Sequence, residues 1–180
     1  MRDHYEGTPF DVQKDCGMGP GEMPYRPTPL EFTHNGKKYF NERPISTQQT
    51  ADTYIAQIRG WLPDAVGGIL WYGSDDPNMI SYTPIYCQNT SVPECFDAPG
   101  ADGCTFSWKS AFWVCNWVSN MTYPRYNHLF PVVKEVRDGL DKDLSAKQPE
   151  VEAKAVALYK ANPAEAVRYL TSYSAERGAT

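Results

Sequence analysis

Residues 66–87, VGGILWYGSDDPNMISYTPIYC, set two strongly apolar runs on either side of a short polar turn. In GGILWYG apolar side chains follow one another without alternation, so both faces need cover and the run reads as a central strand. MISYTPIYC is rich in β-branched and aromatic residues and reads as a second strand. Between them Asp75, Asp76 and Asn78 surround Pro77. These are the side chains a tight turn uses, and the turn reading outweighs the calcium site that an oxygen-rich loop can also form.

Outward from this pair the same logic extends the sheet. In TYIAQIRGW, Tyr54, Ala56 and Ile58 alternate with Ile55, Gln57 and Arg59, the mark of a half-buried strand, and ISTQQ at 45–49 reads as another. EFTHNGKKYF places Asn35-Gly36 between aromatic-containing runs, which predicts a type I′ hairpin. After Pro99 the period changes: Phe112, Val114 or Cys115, and Trp117 or Val118 are spaced for a helix from about residue 108, with Pro124 and Pro131 expected to kink or break it. PEVEAKAVALYKAN (149–162) and PAEAVRYLTSYSAERG (163–178) each open on Pro and an early Glu, as short helices do. Residues 1–30 have no sustained period and read as a turn-rich arm. The expectation is an α+β domain over 31–180, with an antiparallel sheet at about 31–95 followed by helices at about 108–178.

With 17 Lys and Arg against 22 Asp and Glu, the net charge of −5 disfavours a phosphate-tracking surface, so nucleic acid is not an expected partner. No run approaches the length of a membrane span, and residues 1–20 lack the regions of a signal peptide. The chain reads as soluble, with a cytoplasmic setting slightly favoured. Five cysteines are too widely spaced for a zinc signature, and neither metal nor cofactor is expected. Cys95 and Cys104 flank a loop and are spaced for a disulfide in an oxidising compartment, whereas Cys115 reads as a small core residue.

The three histidines, His4, His34 and His128, lie in no HExxH, GxSxG, GxGxxG or P-loop surroundings. RDHYEGTPFD clusters Asp3, His4, Glu6 and Asp11, and the favoured reading is an arm whose polar side chains satisfy its own backbone. Asn89-Thr90-Ser91 and Asn120-Met121-Thr122 match the short glycosylation sequon. NERPISTQQT concentrates Arg43, Ser46, Thr47, Gln48 and Gln49 beside the apolar sheet, where a side-chain amide on a strand can donate to an oxyanion. By pattern alone a polar strand edge is favoured.

MRDHYEGTPFD, NERPISTQQT, WLPDAVGGILWYGSDDPNMISYTPIYC, SWKSAFWVCNWVSNMTYPRY and AVRYLTSYSAE together resemble the dipeptidase A-type cysteine peptidases, a family of N-terminal-nucleophile hydrolases. The resemblance runs from residue 1 to about 176. It implies an αββα sandwich that hydrolyses dipeptides through a cysteine at the start of the mature chain, whose own α-amino group acts as base. That nucleophile lies upstream of the matched blocks, so the resemblance implies a later-middle section of a larger hydrolase, inactive alone. Its partners would be a dipeptide substrate, the upstream part of the same protein and a second copy in a homo-oligomer. ISTQQT corresponds to the strand that supplies an oxyanion amide in related acylases, which assigns that role to Gln48, and Arg43 is the candidate for binding a substrate carboxylate. Two rival readings are a non-enzymatic peptide-binding or assembly module and an autonomous hydrolase using Cys16 or Cys87.

Overall fold

The computed structural model describes residues 1–14, 16–25, 31–40 and 43–179. It is mixed helix and sheet, with the strands first and the helices after them. Strands β1 (Glu31–His34) and β2 (Lys37–Phe40) form the expected hairpin, with His34 opposite Lys37. Asn35 and Gly36 both take positive φ, 49° and 74°, as a type I′ turn requires. Phe32 stacks on Tyr39 at 5.4 Å on a hairpin that is otherwise exposed.

A second antiparallel sheet has the order β3 (Asp52–Ile58), β4 (Gly68–Ser74), β5 (Thr83–Tyr86). The unalternating run is the central strand, as its sequence predicts. The half-buried pattern expected of β3 is not met: only Thr53 is buried, while Tyr54, Ile55 and Ile58 are exposed. As an edge strand β3 has one neighbour, and Tyr54, Ile55 and Ile58 lie uncovered among the described residues. ISTQQ is not a strand either. Residues 47–50 close a turn through Thr50 N–H to Thr47 O at 3.0 Å, and the Thr47 hydroxyl turns inward to its own neighbours Gln48 and Gln49.

Helix α1 (Asp64–Gly67) is a single turn leading into β4. Helix α2 (Ala111–Thr122) begins close to the expected position. Helix α3 (Tyr126–Ala161) runs for 36 residues through Pro131 and Pro149, where breaks were expected. Its buried residues explain the continuity. Tyr126, Phe130, Arg137, Leu144, Val151 and Ala155 form one stripe recurring about every seven positions, so packing outweighs the hydrogen bond each proline forfeits. Helix α4 (Pro163–Gly178) follows directly, with the Asn162 side chain accepting from Ala164 N–H at 3.1 Å and Pro163 in its first turn.

The core has two parts, both touched by α3. In the first, Val66 and Ile69 with Tyr86 pack on Leu144, Val151 and Ala155 of α3 and on Leu170 and Tyr173 of α4. In the second, Tyr25, Met79 and Ile80 pack on Tyr123, Tyr126 and Phe130. The strand-joining turn at 75–78 therefore sits inside the fold. The N-terminal arm lies against it: Arg2 donates to Pro77 O (2.9 Å) and Ile80 O (2.8 Å), and Ser46 N–H donates to Asp3 O at 2.9 Å. Within the arm, Asp3 and Asp11 accept from the backbone N–H groups of Tyr5, Gly7 and Gln13, the self-satisfying pattern expected of it.

Candidate functional site

The chemistry-bearing side chains converge on the turn after β4. Asp75 adopts φ 79°, a left-handed conformation that Asp tolerates better than most residues, and its N–H donates to Ala51 O at 2.7 Å. Met79 N–H then closes a turn to Asp76 O at 2.8 Å, with Pro77 pre-set for the position after Asp76. A Cβ at Gly73 would lie 2.2 Å from the terminal Cδ1 of Ile80, so a larger residue there forces that buried side chain to shift.

Asp76 is fully buried and is the centre of the network. Its carboxyl accepts from Tyr25 Oη at 2.6 Å, Tyr123 Oη at 3.1 Å, the Asn78 N–H at 3.1 Å and the Ser46 hydroxyl. Burial first, then the Asp76 charge, pushes the Tyr25 and Tyr123 phenols well above the ordinary range, so both remain donors at any physiological pH. Asn78 continues the network, donating from Nδ2 to Tyr126 Oη at 2.8 Å and accepting at Oδ1 from Arg137 at 3.0 Å. Arg137 also donates to Asn78 O and is tied to Asp138, so α3 is fastened to the turn by a buried guanidinium.

Asp75 differs from its neighbour. Oδ1 accepts from Asp76 N–H at 2.8 Å, but Oδ2 is buried with no hydrogen-bond partner among the described residues, and so is the hydroxyl of Ser119 on α2. Burial pushes the Asp75 carboxyl up to about 6, and the Asp76 charge adds to it. The Asp76 N–H, Ser119 and Asn116 work the other way, although neither Ser119 nor Asn116 reaches hydrogen-bonding geometry on Oδ2.

Beside this polar turn lies a cavity of about 910 Å³ walled mainly by apolar side chains, including Ile80, Phe96, Val114 and Val133, with Cys95 and Cys115 in its lining. Burial pushes the Cys115 thiol up to about 12, helped by the charge of Asp75, and burial also raises Cys95. Both cavity cysteines are therefore thiols at neutral pH and poor nucleophiles. Cys95 and Cys104 are free rather than bridged. The loop between them holds its own turn, with Asp102 accepting from the N–H groups of Cys104 and Thr105, while Cys95 faces the cavity.

Of the residues singled out in the sequence, Gln48 lies on the 47–50 turn, part-buried, with its Oε1 accepting from Thr47 Oγ1 at 3.1 Å. Arg43 is exposed, and its carbonyl accepts from Tyr5 Oη at 3.2 Å. From this segment it is Ser46 that enters the buried network. His4 is buried, with Nδ1 3.2 Å from Arg2 O and its ring edge-on to Tyr25. Cys87 is exposed, and the side chain of Cys16 lies outside what is described. Sequence reasoning reached the turn but missed Tyr25, Ser46, Tyr123 and Arg137 as its partners. The signal was present in two adjacent Asp residues between apolar runs, a turn with little room to be solvated.

The same blocks decide the family. Peptidase family C69 matches residues 1–138, well over half of the sequence. This chain belongs to peptidase family C69. The match spans the arm, both sheets, the acidic turn and α2, and ends at the Arg137–Asp138 region of α3. It is 28% identical over 111 residues to dipeptidase A of Lactobacillus helveticus, covering 62% of this chain and 19% of that protein. It is 28% identical over 137 residues to a probable dipeptidase of Latilactobacillus sakei, covering 74% and 27%. A probable dipeptidase of Salmonella dublin is 30% identical over 86 residues, covering 48% and 15%. The matched part of the chain thus spans less than a third of the length of each of these relatives.

Proposed function

We propose that this C69 chain is one section of a dipeptidase that hydrolyses the amide bond of dipeptides, contributing a sheet, its covering helices and part of the substrate cleft. The observation that supports it best is the C69 match over residues 1–138, together with relatives named dipeptidases. In this reading the nucleophile is an N-terminal cysteine from an upstream segment, with its α-amino group as base. The raised thiols of Cys95 and Cys115 favour a nucleophile from elsewhere. The three-stranded sheet forms one layer of an αββα sandwich, and the exposed faces of β3 favour a missing layer.

Within that cleft Gln48 is the amide donor to the oxyanion and Arg43 binds a substrate carboxylate. In the complete protein Gln48→Ala should lower kcat by about two orders of magnitude or more, the usual effect of losing such a donor. Unchanged turnover would remove Gln48 from the mechanism. A dipeptide-based, thiol-reactive electrophile followed by peptide mapping tests the nucleophile: labelling of a cysteine outside these 180 residues supports the reading, and labelling of Cys16 or Cys87 contradicts it.

A further inference from the structure

The cavity beside the acidic turn is walled by several elements at once. Gly73 belongs to β4 and Ile80 to the chain returning from the turn, Val114 to α2, Val133 to α3 and Gly178 to the end of α4. At about 910 Å³ it has the size of a pocket that encloses a small ligand. Trp108 stands at its mouth, 63% exposed, with the Phe106 ring edge-on at 4.8 Å and the Trp117 ring at 5.7 Å. An exposed aromatic cluster on the rim of an apolar hollow offers ring faces and edges to an incoming ring.

Charge narrows what the hollow accepts. Among the lining cations, Arg137 donates to Asn78 and Asp138, Arg177 donates to Asp143 at 2.8 Å, and Lys109 faces Glu94 at 3.8 Å. Glu94 is the single carboxylate in the lining, so every charge there already has its counter-charge. Cys95 and Cys115 add neutral thiols. A charged group entering would shed its water and find no free partner.

We propose that this cavity is a pocket for an uncharged aromatic group, the phenylalanyl-type side chain of a peptide. That the ligand is a peptide rests on the dipeptidase reading, in which the pocket makes dipeptides with bulky apolar side chains the preferred substrates. Its position suits that role. Ser74 lines the cavity, the N–H of its neighbour Asp75 donates to Ala51 O, and Gln48 lies three residues before Ala51. A phenylalanyl side chain brings about 150–250 Å² of surface to bury and an alanyl side chain far less, so the pocket selects by size as well as by charge.

Isothermal titration of the 180-residue chain tests this without turnover, with phenylalanyl-alanine, alanyl-alanine, glutamyl-alanine and benzyl alcohol as probes. Phenylalanyl-alanine should bind at least about tenfold more tightly than alanyl-alanine, the lower end of what an apolar pocket gains from added carbon. Glutamyl-alanine should bind no better than alanyl-alanine, and benzyl alcohol should displace phenylalanyl-alanine. Val114→Phe, which fills the cavity from α2, should abolish the aromatic preference. Trp108→Ala changes an exposed position, so it should fold even where Val114→Phe does not, and it should reduce the preference severalfold. Equal binding of the phenylalanyl and alanyl peptides, binding of neither, no displacement by benzyl alcohol, or a preference that survives both substitutions would overturn the pocket. Hydrolysis by the complete protein is a separate readout. An aromatic preference in binding without any dipeptide hydrolysis keeps the pocket and sinks the dipeptidase reading, whereas hydrolysis with no aromatic preference in binding does the reverse.

Discussion

Asp75 and Asp76 are neighbours with opposite surroundings, and each predicts a different response to substitution. Asp76 satisfies the hydroxyls of Tyr25, Ser46 and Tyr123 at once, so Asp76→Ala strands three buried donors. That should cost about 3 kcal/mol or more in urea unfolding; a loss under about 1 kcal/mol would mean the network does not hold the turn. Asp75 has its folded value raised to about 6 from 3.8, so its contribution to stability is full below about pH 4 and is lost as pH rises through about 6. The size is about 3 kcal/mol. Asp75→Asn cannot titrate, so the stability difference between variant and natural chain should shift in favour of the variant between pH 4 and pH 7. A pH-independent difference would show that the carboxyl is not buried as described.

At the scale of elements, β4 and the turn beyond it are joined by one tight contact. Gly73→Ala would drive a Cβ into Ile80 Cδ1, and overpacking of this kind costs about 1–3 kcal/mol. Ile80→Val, which removes that methyl, should recover part of the loss in the double variant, and strict additivity would show that the contact is not the cause. Elements whose reasons are local could be read directly from the sequence. Asn35-Gly36 specifies its own hairpin, the unbroken apolar run of β4 specifies a central strand, and Asn162-Pro163 starts α4. Elements decided by distant partners could not. Pro131 and Pro149 mark breaks by local rules, yet α3 continues because its stripe packs on the strands, α4 and the tyrosine cluster. ISTQQ has strand composition, but Ser46 is drawn into the Asp76 network and the residues after it turn. Likewise Tyr25, Ser46 and Tyr123 lie 21 to 51 positions from the groups they bond, beyond any local pattern.

For the whole molecule, the sheet ends in a strand with an apolar face left open: Ile58 is 83% exposed and Tyr54 65%, with Trp61 nearby at 80%. Contiguous apolar surface of this kind drives association. The isolated chain should sediment as more than a monomer at micromolar concentration, and Ile58→Lys should shift it towards monomer; an unsubstituted chain that stays monomeric would mean the surface is not sticky enough to seek cover. In the proposed αββα sandwich the same open strand is where a further layer would dock. Dipeptide hydrolysis, measured on this chain alone and on the chain mixed with the upstream segment of its parent, tests that most directly. Turnover is expected only in the mixture, with the nucleophile supplied by the proposed upstream segment. Turnover by the chain alone would place the nucleophile among its own five cysteines and contradict it.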